Sequence, residues 1–376
     1  MGCPRGRIRR WRSMSGASTA RQARGLTCLR ARQSRGIRPK PRRRPGAPRT
    51  FVRASGTPGA PGARPARTKE RLDPARRPRY VSVVQPSRRR LPVITPSRPR
   101  LSRRRFLAAV RNVVAGYALA GAGGYLYGSR IEAEWLTVRR LTLPIRSLPA
   151  AADGLRLVQL SDFHLRPVTE IDHIRRAVSL ASSLQPDVIV LTGDYVTIQA
   201  EDIFELAPVL GGLNARLGVF TVLGNHDLWT NRRVVTQGLH EAGLPVLINQ
   251  GLAVGGLYLA GLDDAWSGAP DLAQALAGCP AGMPAVLLAH EPDFVDEWSR
   301  DPRVAVQLSG HSHGGQVRLP GLGAVIVPPY GRKYDYGLYQ VHHTRLYTNP
   351  GIGLAVPGVR VNCRPEVTEI TLTQGA

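Results

Sequence analysis

Two histidines two residues apart, framed by glycines, close the apolar run in "VAVQLSGHSHGG" (304–315). In extended backbone, residues i and i+2 point to the same side, so His311 and His313 can face one site. Gly310, Gly314 and Gly315 let the chain turn sharply as it leaves the run. Four other apolar runs end the same way. "LRLVQL" (155–160) precedes Asp162 and His164, and "DVIVL" (187–191) precedes Asp194. "GVFTVL" (218–223) precedes Asn225, His226 and Asp227, and "AVLLA" (285–289) precedes His290. Imidazole nitrogens with carboxylate and amide oxygens, and no thiolate, are the donor set of hard to borderline divalent metals. Two metals about 3.5–4 Å apart can share a carboxylate, and Asp194, alone on its loop, is suited to that role. Five of the nine histidines fall in these clusters. His173, His240, His342 and His343 lie on a helix face or in hairpins and read as structural or solvated.

The segments between the runs must hold these residues in place. After residue 160 a helical period sets Ile171, Ile174, Ala177, Val178, Ala181 and Leu184 on one face. "EDIFELAPVLGGL" and "NRRVVTQGLHEAG" read as further helices, followed by short alternating strands and a strand-rich tail. This alternation predicts an α/β domain with sheets packed between helices. In such folds sites assemble at the carboxyl ends of strands, where every cluster above falls.

The ordered set "DFH", "GD", "GNHD", "H" and "GHSH" resembles the signature of the calcineurin-like metallophosphoesterases, over about residues 155–320. The resemblance implies a four-layer α/β/β/α sandwich with two central sheets and a dinuclear metal site at the strand carboxyl ends. It implies one metal on Asp162, His164, Asp194 and His313, and a second on Asp194, Asn225, His290 and His311. Phe163 stands where Leu is usual, and no ligand position is missing. The activity implied is phosphoester hydrolysis by two divalent metals and a bridging hydroxide. His226 would protonate the leaving group, with Asp227 orienting its ring. The donor set accepts Mn²⁺, Fe or Zn²⁺, with Mn²⁺ the first expectation. Arg166 and Gln316 follow ligand clusters closely and are candidate substrate contacts. The tail "YGLYQVHHTRLYTNPGIG" is similar to that of exported or membrane-anchored bacterial phosphodiesterases, a branch that includes enzymes resembling UDP-2,3-diacylglucosamine pyrophosphatases. A lipid diphosphate is therefore the alternative substrate, although that nucleotide lipid is cytoplasmic.

The net charge of +26 is unevenly spread: residues 1–105 hold 32 of the 52 basic side chains and two of the 26 acidic ones. Residues 1–101, rich in Arg, Pro, Gly and Ala, lack the apolar surface to offset chain entropy and are expected to be disordered. Such an arm binds polyanions in a salt-dependent way, which sets up a rival reading of the chain as a polyanion-binding protein. No base-reading module accompanies it, so specific nucleic-acid recognition is not expected. "SRRRFL" and the Gly/Ala-rich stretch to Gly128 resemble a twin-arginine export signal, so residues 102–128 are read as signal or membrane anchor and 129–376 as the phosphoesterase domain. The uninterrupted run from Val113 to Gly128 is 16 residues, and from Phe106 it reaches 23 with Arg111 inside. About 20 are needed to span a bilayer. Cleavage near "ALA" (118–120) would release the domain to the periplasm or cell wall; without it the segment anchors an outward-facing domain. The expected partners are the export machinery, the membrane and a phosphoester. A signal this far into the chain also suggests a true start near residues 80–100, at a non-Met codon because only Met1 and Met14 precede it. Four scattered cysteines without a C-x-x-C argue against a disulfide framework or thiolate site.

Overall fold

The computed structural model describes residues 102–375. The expected disordered arm and the alternative start lie outside the described residues. Ser102 caps a 28-residue helix, α1 (Arg103–Arg130), by accepting the Arg105 N–H. There follow β1 (Thr137–Arg146), β2 (Arg156–Leu160), α2 (Ile171–Ser183), β3 (Val188–Thr192), α3 (Ile203–Leu210), β4 (Val219–Val222) and α4 (Asn225–Glu241). The second half runs β5 (Gln250–Val254), β6 (Leu257–Gly261), α5 (Leu272–Ala275), β7 (Ala285–Leu288), α6 (Val295–Trp298) and β8 (Val304–Ser309). It ends with β9 (Arg318–Leu319), β10 (Gly323–Ala324), β11 (Gly337–Val341), β12 (Thr344–Thr348) and β13 (Glu366–Gly375).

One sheet has the order β1-β13-β2-β3-β4 and the other β11-β12-β8-β7-β6-β5. The runs 188–192 and 285–288 are buried at every position, the pattern of strands covered on both faces. Leu157, Val190, Val222, Leu259, Leu288 and Leu308 meet in one core between the sheets. On the outer face of the first sheet, Ile174, Ala177, Val178 and Ala181 of α2 pack with Ile203, Leu206, Leu210, Val235 and Leu239 of α3 and α4. That is the apolar face read from the 3.6-residue period. The outer face of the second sheet is covered by Leu276 and Trp298 near the ends of α5 and α6. The expected α/β/β/α layering is present, its second helical layer reduced to four-residue helices.

Three strands of the first sheet (β2, β3, β4) run parallel to one another, as do two of the second (β7, β8), so their carboxyl ends share an edge. Buried Gln159 of β2 ties the sheets together there, donating to Thr192 Oγ1 (3.1 Å) and to the Ser309 carbonyl (2.9 Å).

Candidate metal centre and its cleft

The loops that leave these five strands bring all seven ligand candidates together, every one buried. Donor atoms of Asp162, His164 and His313 lie within 4.8 Å of one another, as do those of Asp194, His290 and His311. The two trios meet at Asp194, whose Oδ2 is 3.3 Å from His164 Nε2 and 3.1 Å from His290 Nε2. His313 Nε2 is 3.5 Å from Asp162 Oδ1.

The expectation of an extended backbone at these ligands is corrected. Asp162, His164, Asp194, His311 and His313 all have φ between 44° and 69°, in the left-handed region. The paired side chains converge because left-handed residues alternate along the loop, not because of strand pleat. Left-handed backbone costs roughly 1 kcal/mol per non-glycine residue, and such costs gather at functional sites. Close approach also needs glycine. A Cβ on Gly310 would fall on Ser161 Oγ and Asp162 Oδ2, and one on Gly224 would fall on Asp194 Oδ1.

The hydrogen bonds around the imidazoles fix which nitrogen faces the centre. His290 Nδ1 lies 2.6 Å from the Thr192 carbonyl and His311 Nε2 lies 2.8 Å from that of Pro329. A carbonyl accepts only, so those nitrogens carry the protons, and His290 Nε2 and His311 Nδ1 keep their lone pairs. His164 Nε2, Asn225 Oδ1, His290 Nε2 and His313 Nδ1 are buried without any hydrogen-bond partner. Four orphaned acceptor-type atoms around two carboxylates are costly unless a cation completes them. The residues present therefore fit two divalent metals.

The buried carboxylates and imidazoles also set one another's charge. Burial opposes ionisation of Asp194, but the neighbouring imidazoles of His290, His226 and His164 outweigh it and hold the carboxyl well below its usual range. Burial opposes charging of His290, yet Asp194 and Asp162 lift it well above the usual imidazole range. Burial, with His164 and Arg360 nearby, pushes His313 well down.

His226 borders the centre, with a ring nitrogen within 4.8 Å of donor atoms of His164 and Asp194. Its N–H donates to Asp194 Oδ1 (2.9 Å), and its ring lies 4.7 Å from that of His164. Nδ1 is 3.1 Å from the Thr197 carbonyl, so Nε2 is the nitrogen left for a substrate. The expectation that Asp227 orients this ring is corrected. Both Asp227 oxygens are taken by backbone N–H groups of Asp194 (3.0 Å), Tyr195 (2.9 Å), Val196 (3.4 Å) and Gly224 (2.9 Å). Asp227 is the N3 residue of α4 and holds the Asp194 loop onto that helix. Burial and Asp194 push its carboxyl up to about 7.

Two further expectations change. Arg166 turns away and binds Asp202 (3.0 Å) and Glu205 (2.5 Å), so it is not a substrate contact in this structure. Gln316 does line the cleft, but its amide is spent on residue 355: Nε2 donates to the Ala355 carbonyl (3.0 Å) and Oε1 accepts its N–H (2.7 Å). Two residues the sequence reading passed over matter here. Trp266 stands over His311 at 5.7 Å and packs edge-on to Trp229, which is held by Ser267 (2.7 Å). Fully buried Arg360 donates to the carbonyls of Pro350 (2.9 Å), Gly351 (3.1 Å), Gly353 (2.6 Å) and Cys363 (3.0 Å). It thereby clamps "NPGIG" over the Asp162 loop, where Gly353 N–H donates to the Asp162 carbonyl (2.7 Å). The centre opens into a cleft of about 410 Å³ whose outer walls are apolar, including Val325, Ile326, Val356 and Val359.

Residues 155–315 match the calcineurin-like phosphoesterase family. The chain is 35% identical over 283 residues to the "uncharacterized metallophosphoesterase YkuE" of Bacillus subtilis, covering 73% of this chain and 98% of that one. It is 32% identical over 280 residues to "Phosphodiesterase YaeI" of Escherichia coli, covering 72% and 99%. With a Danio rerio "transmembrane protein with metallophosphoesterase domain" it shares 34% identity over 269 residues, 66% of this chain and 60% of the relative. The chain belongs to the calcineurin-like metallophosphoesterases. It is a hydrolase acting on phosphoester bonds.

Proposed function

We propose that the chain is a two-metal phosphodiesterase acting outside the cytoplasmic membrane, with α1 as export signal and anchor. The four orphaned acceptor atoms around Asp162 and Asp194 carry the metal part of this reading. Asp162, His164, Asp194 and His313 would hold one metal, and Asp194, Asn225, His290 and His311 the other. Mn²⁺ suits this oxygen and nitrogen set, as do Fe and Zn²⁺. Bound metals would supply Lewis acidity toward the phosphoester and an activated water. The chain's own residues do the rest. His226, its Nδ1–H fixed on Thr197, presents Nε2 to the leaving oxygen and returns a proton there. Trp229 packs against its ring and is braced by Trp266. Arg360 and Asp227 hold the ligand loops from behind.

The location rests on Arg103–Arg105 at the start of an apolar helix long enough to cross a membrane. By the positive-inside rule these arginines stay cytoplasmic and residues 129–376 face outward. A second reading, a lipid diphosphate as substrate, is favoured by the apolar outer walls of the cleft. The test is hydrolysis of bis(p-nitrophenyl) phosphate by metal-stripped protein titrated with Mn²⁺, with Asn225→Ala as control. Turnover that requires metal and collapses in the control is expected. Turnover unaffected by stripping would refute the proposal, and salt-sensitive polyanion binding without hydrolysis would favour the basic-arm reading.

A further inference from the structure

The last turn of α1 is seated on the wall of the cleft. The Gly128 carbonyl accepts the Arg360 N–H (3.1 Å), and a Cβ on Gly128 would meet Val359 Cγ1 at 2.7 Å and Val361 Cγ2 at 3.2 Å. Val359 is itself a cleft-lining residue. The junction is locked further along, where buried Glu132 accepts the Cys363 N–H (2.8 Å) and the Arg364 guanidinium lies 3.6 Å over the Trp135 ring. α1 is therefore not a loose tether: where it ends, the cleft wall begins.

Before its last turn, α1 is exposed almost throughout among the described residues. Gly128 is its one buried residue, while Phe106, Val114, Leu119 and Leu126 are exposed. Its 28 residues rise about 42 Å at 1.5 Å each, more than the roughly 30 Å of a bilayer's hydrocarbon. Tyr125 and Tyr127, exposed in its last turns, suit the headgroup level. A bilayer ending there lies one residue from Gly128 and one side-chain layer from the cleft. The cleft's rim is apolar on the outside as well. Leu322 is 81% exposed, Ile326 78% and Val356 67%. Leu322 tops the β9–β10 turn, which continues directly into the cleft-lining residues Val317 and Val325, joined by a 3.0 Å backbone hydrogen bond.

We infer that the cleft opens onto the bilayer that α1 crosses, that Leu322, Ile326 and Val356 enter its interface, and that the substrate is a lipid phosphoester whose chains lie along the apolar wall. The occupant is the host membrane, because the rim is continuous with the helix that enters it. The substrate part of this inference rests on the phosphodiesterase reading; the docking part does not.

The full chain in phosphatidylcholine nanodiscs tests both parts. An environment-sensitive fluorophore on Leu322→Cys should be quenched by nitroxide-labelled lipid. The same probe on Gln340→Cys, in the β11 strand and outside the cleft, should not, with signal from the native cysteines subtracted. Unquenched Leu322, or equal quenching at both positions, overturns the docking. In the second arm, linear alkyl phosphates compete with bis(p-nitrophenyl) phosphate. Inhibition should strengthen roughly threefold to fourfold per methylene over the first few carbons, the gain from burying each CH₂. Inhibition independent of chain length overturns the lipid substrate. Absence of any metal-dependent nitrophenyl turnover would instead defeat the phosphodiesterase reading, and with it the substrate part, while the quenching arm still decides the docking.

Discussion

Gly310→Ala adds one methyl group beside the metal centre, and its consequence can be worked out closely. The new Cβ would overlap Ser161 Oγ and Asp162 Oδ2. Neither has room to yield. Asp162 accepts the His311 N–H at 2.9 and 3.1 Å, its own carbonyl holds Gly353 N–H at 2.7 Å, and both it and Ser161 are fully buried. Restoring ordinary contact needs a shift on the order of 1 Å, enough to break the bond to His311. Overpacking of this kind costs about 1–3 kcal/mol of stability. The shifted carboxylate belongs to the Asp162–His164–His313 trio, so that metal should weaken about 10- to 100-fold, as when a ligand's support is lost. The metal on Asp194, Asn225, His290 and His311 loses only the backbone anchor of His311 and should weaken less. Calorimetric titration of stripped protein with Mn²⁺ should show two comparable sites in the parent and one strong, one weak site in Gly310→Ala. Two undiminished sites in a variant of normal stability would refute both the packing argument and the ligand assignment.

Two further outcomes are expected. His226→Ala should slow hydrolysis of phosphodiesters with alkoxide leaving groups about 10²- to 10⁴-fold and those with nitrophenolate much less; equal losses on the two would contradict the proton-donor role. Burial and then the neighbouring Glu291 push Asp264 up to about 9. The folded chain therefore keeps a proton that the unfolded chain releases near pH 4, and the parent should lose stability as pH rises between those values, by at most about 1.4 kcal/mol per unit. Asp264→Asn removes that titration, so its urea midpoint relative to the parent should climb from about pH 6 to about pH 8. A difference flat with pH would rule out the raised titration of Asp264.

The five strand-end motifs were legible because hydrophobic runs and metal-type residues are local features, and sequence order carries both. The strands at 156–160, 188–192 and 304–309 lie where the apolar runs put them, and the helix face of α2 follows its period. Choices among partners were not legible. Asp227 beside His226 looked like its orienter, yet a residue at the third position of a helix can bond backbone N–H groups instead, and here it does. Arg166 sits two residues after His164, but its left-handed backbone and the carboxylates of Asp202 and Glu205 on a distant segment draw it outward. Trp266 and the apolar rim carried no motif at all, because their role exists only once β9–β10 and residues 355–359 fold over the centre.

The placement of β13 bears on when the centre can form during synthesis. Every candidate ligand has been made by residue 313, but the strand that lies between β1 and β2 is Glu366–Gly375. It pairs in parallel with ten residues of β1 and antiparallel with β2, whose carboxyl end carries Asp162 and His164. A nascent chain halted after residue 313 would hold the whole ligand set without the strand that joins β1 to β2. Folding of the first sheet is thus a late, long-range event, and contacts of such sequence separation are slow to close. A ribosome-stalled series with ends on either side of residues 366–375 would see protease resistance arise as a single step.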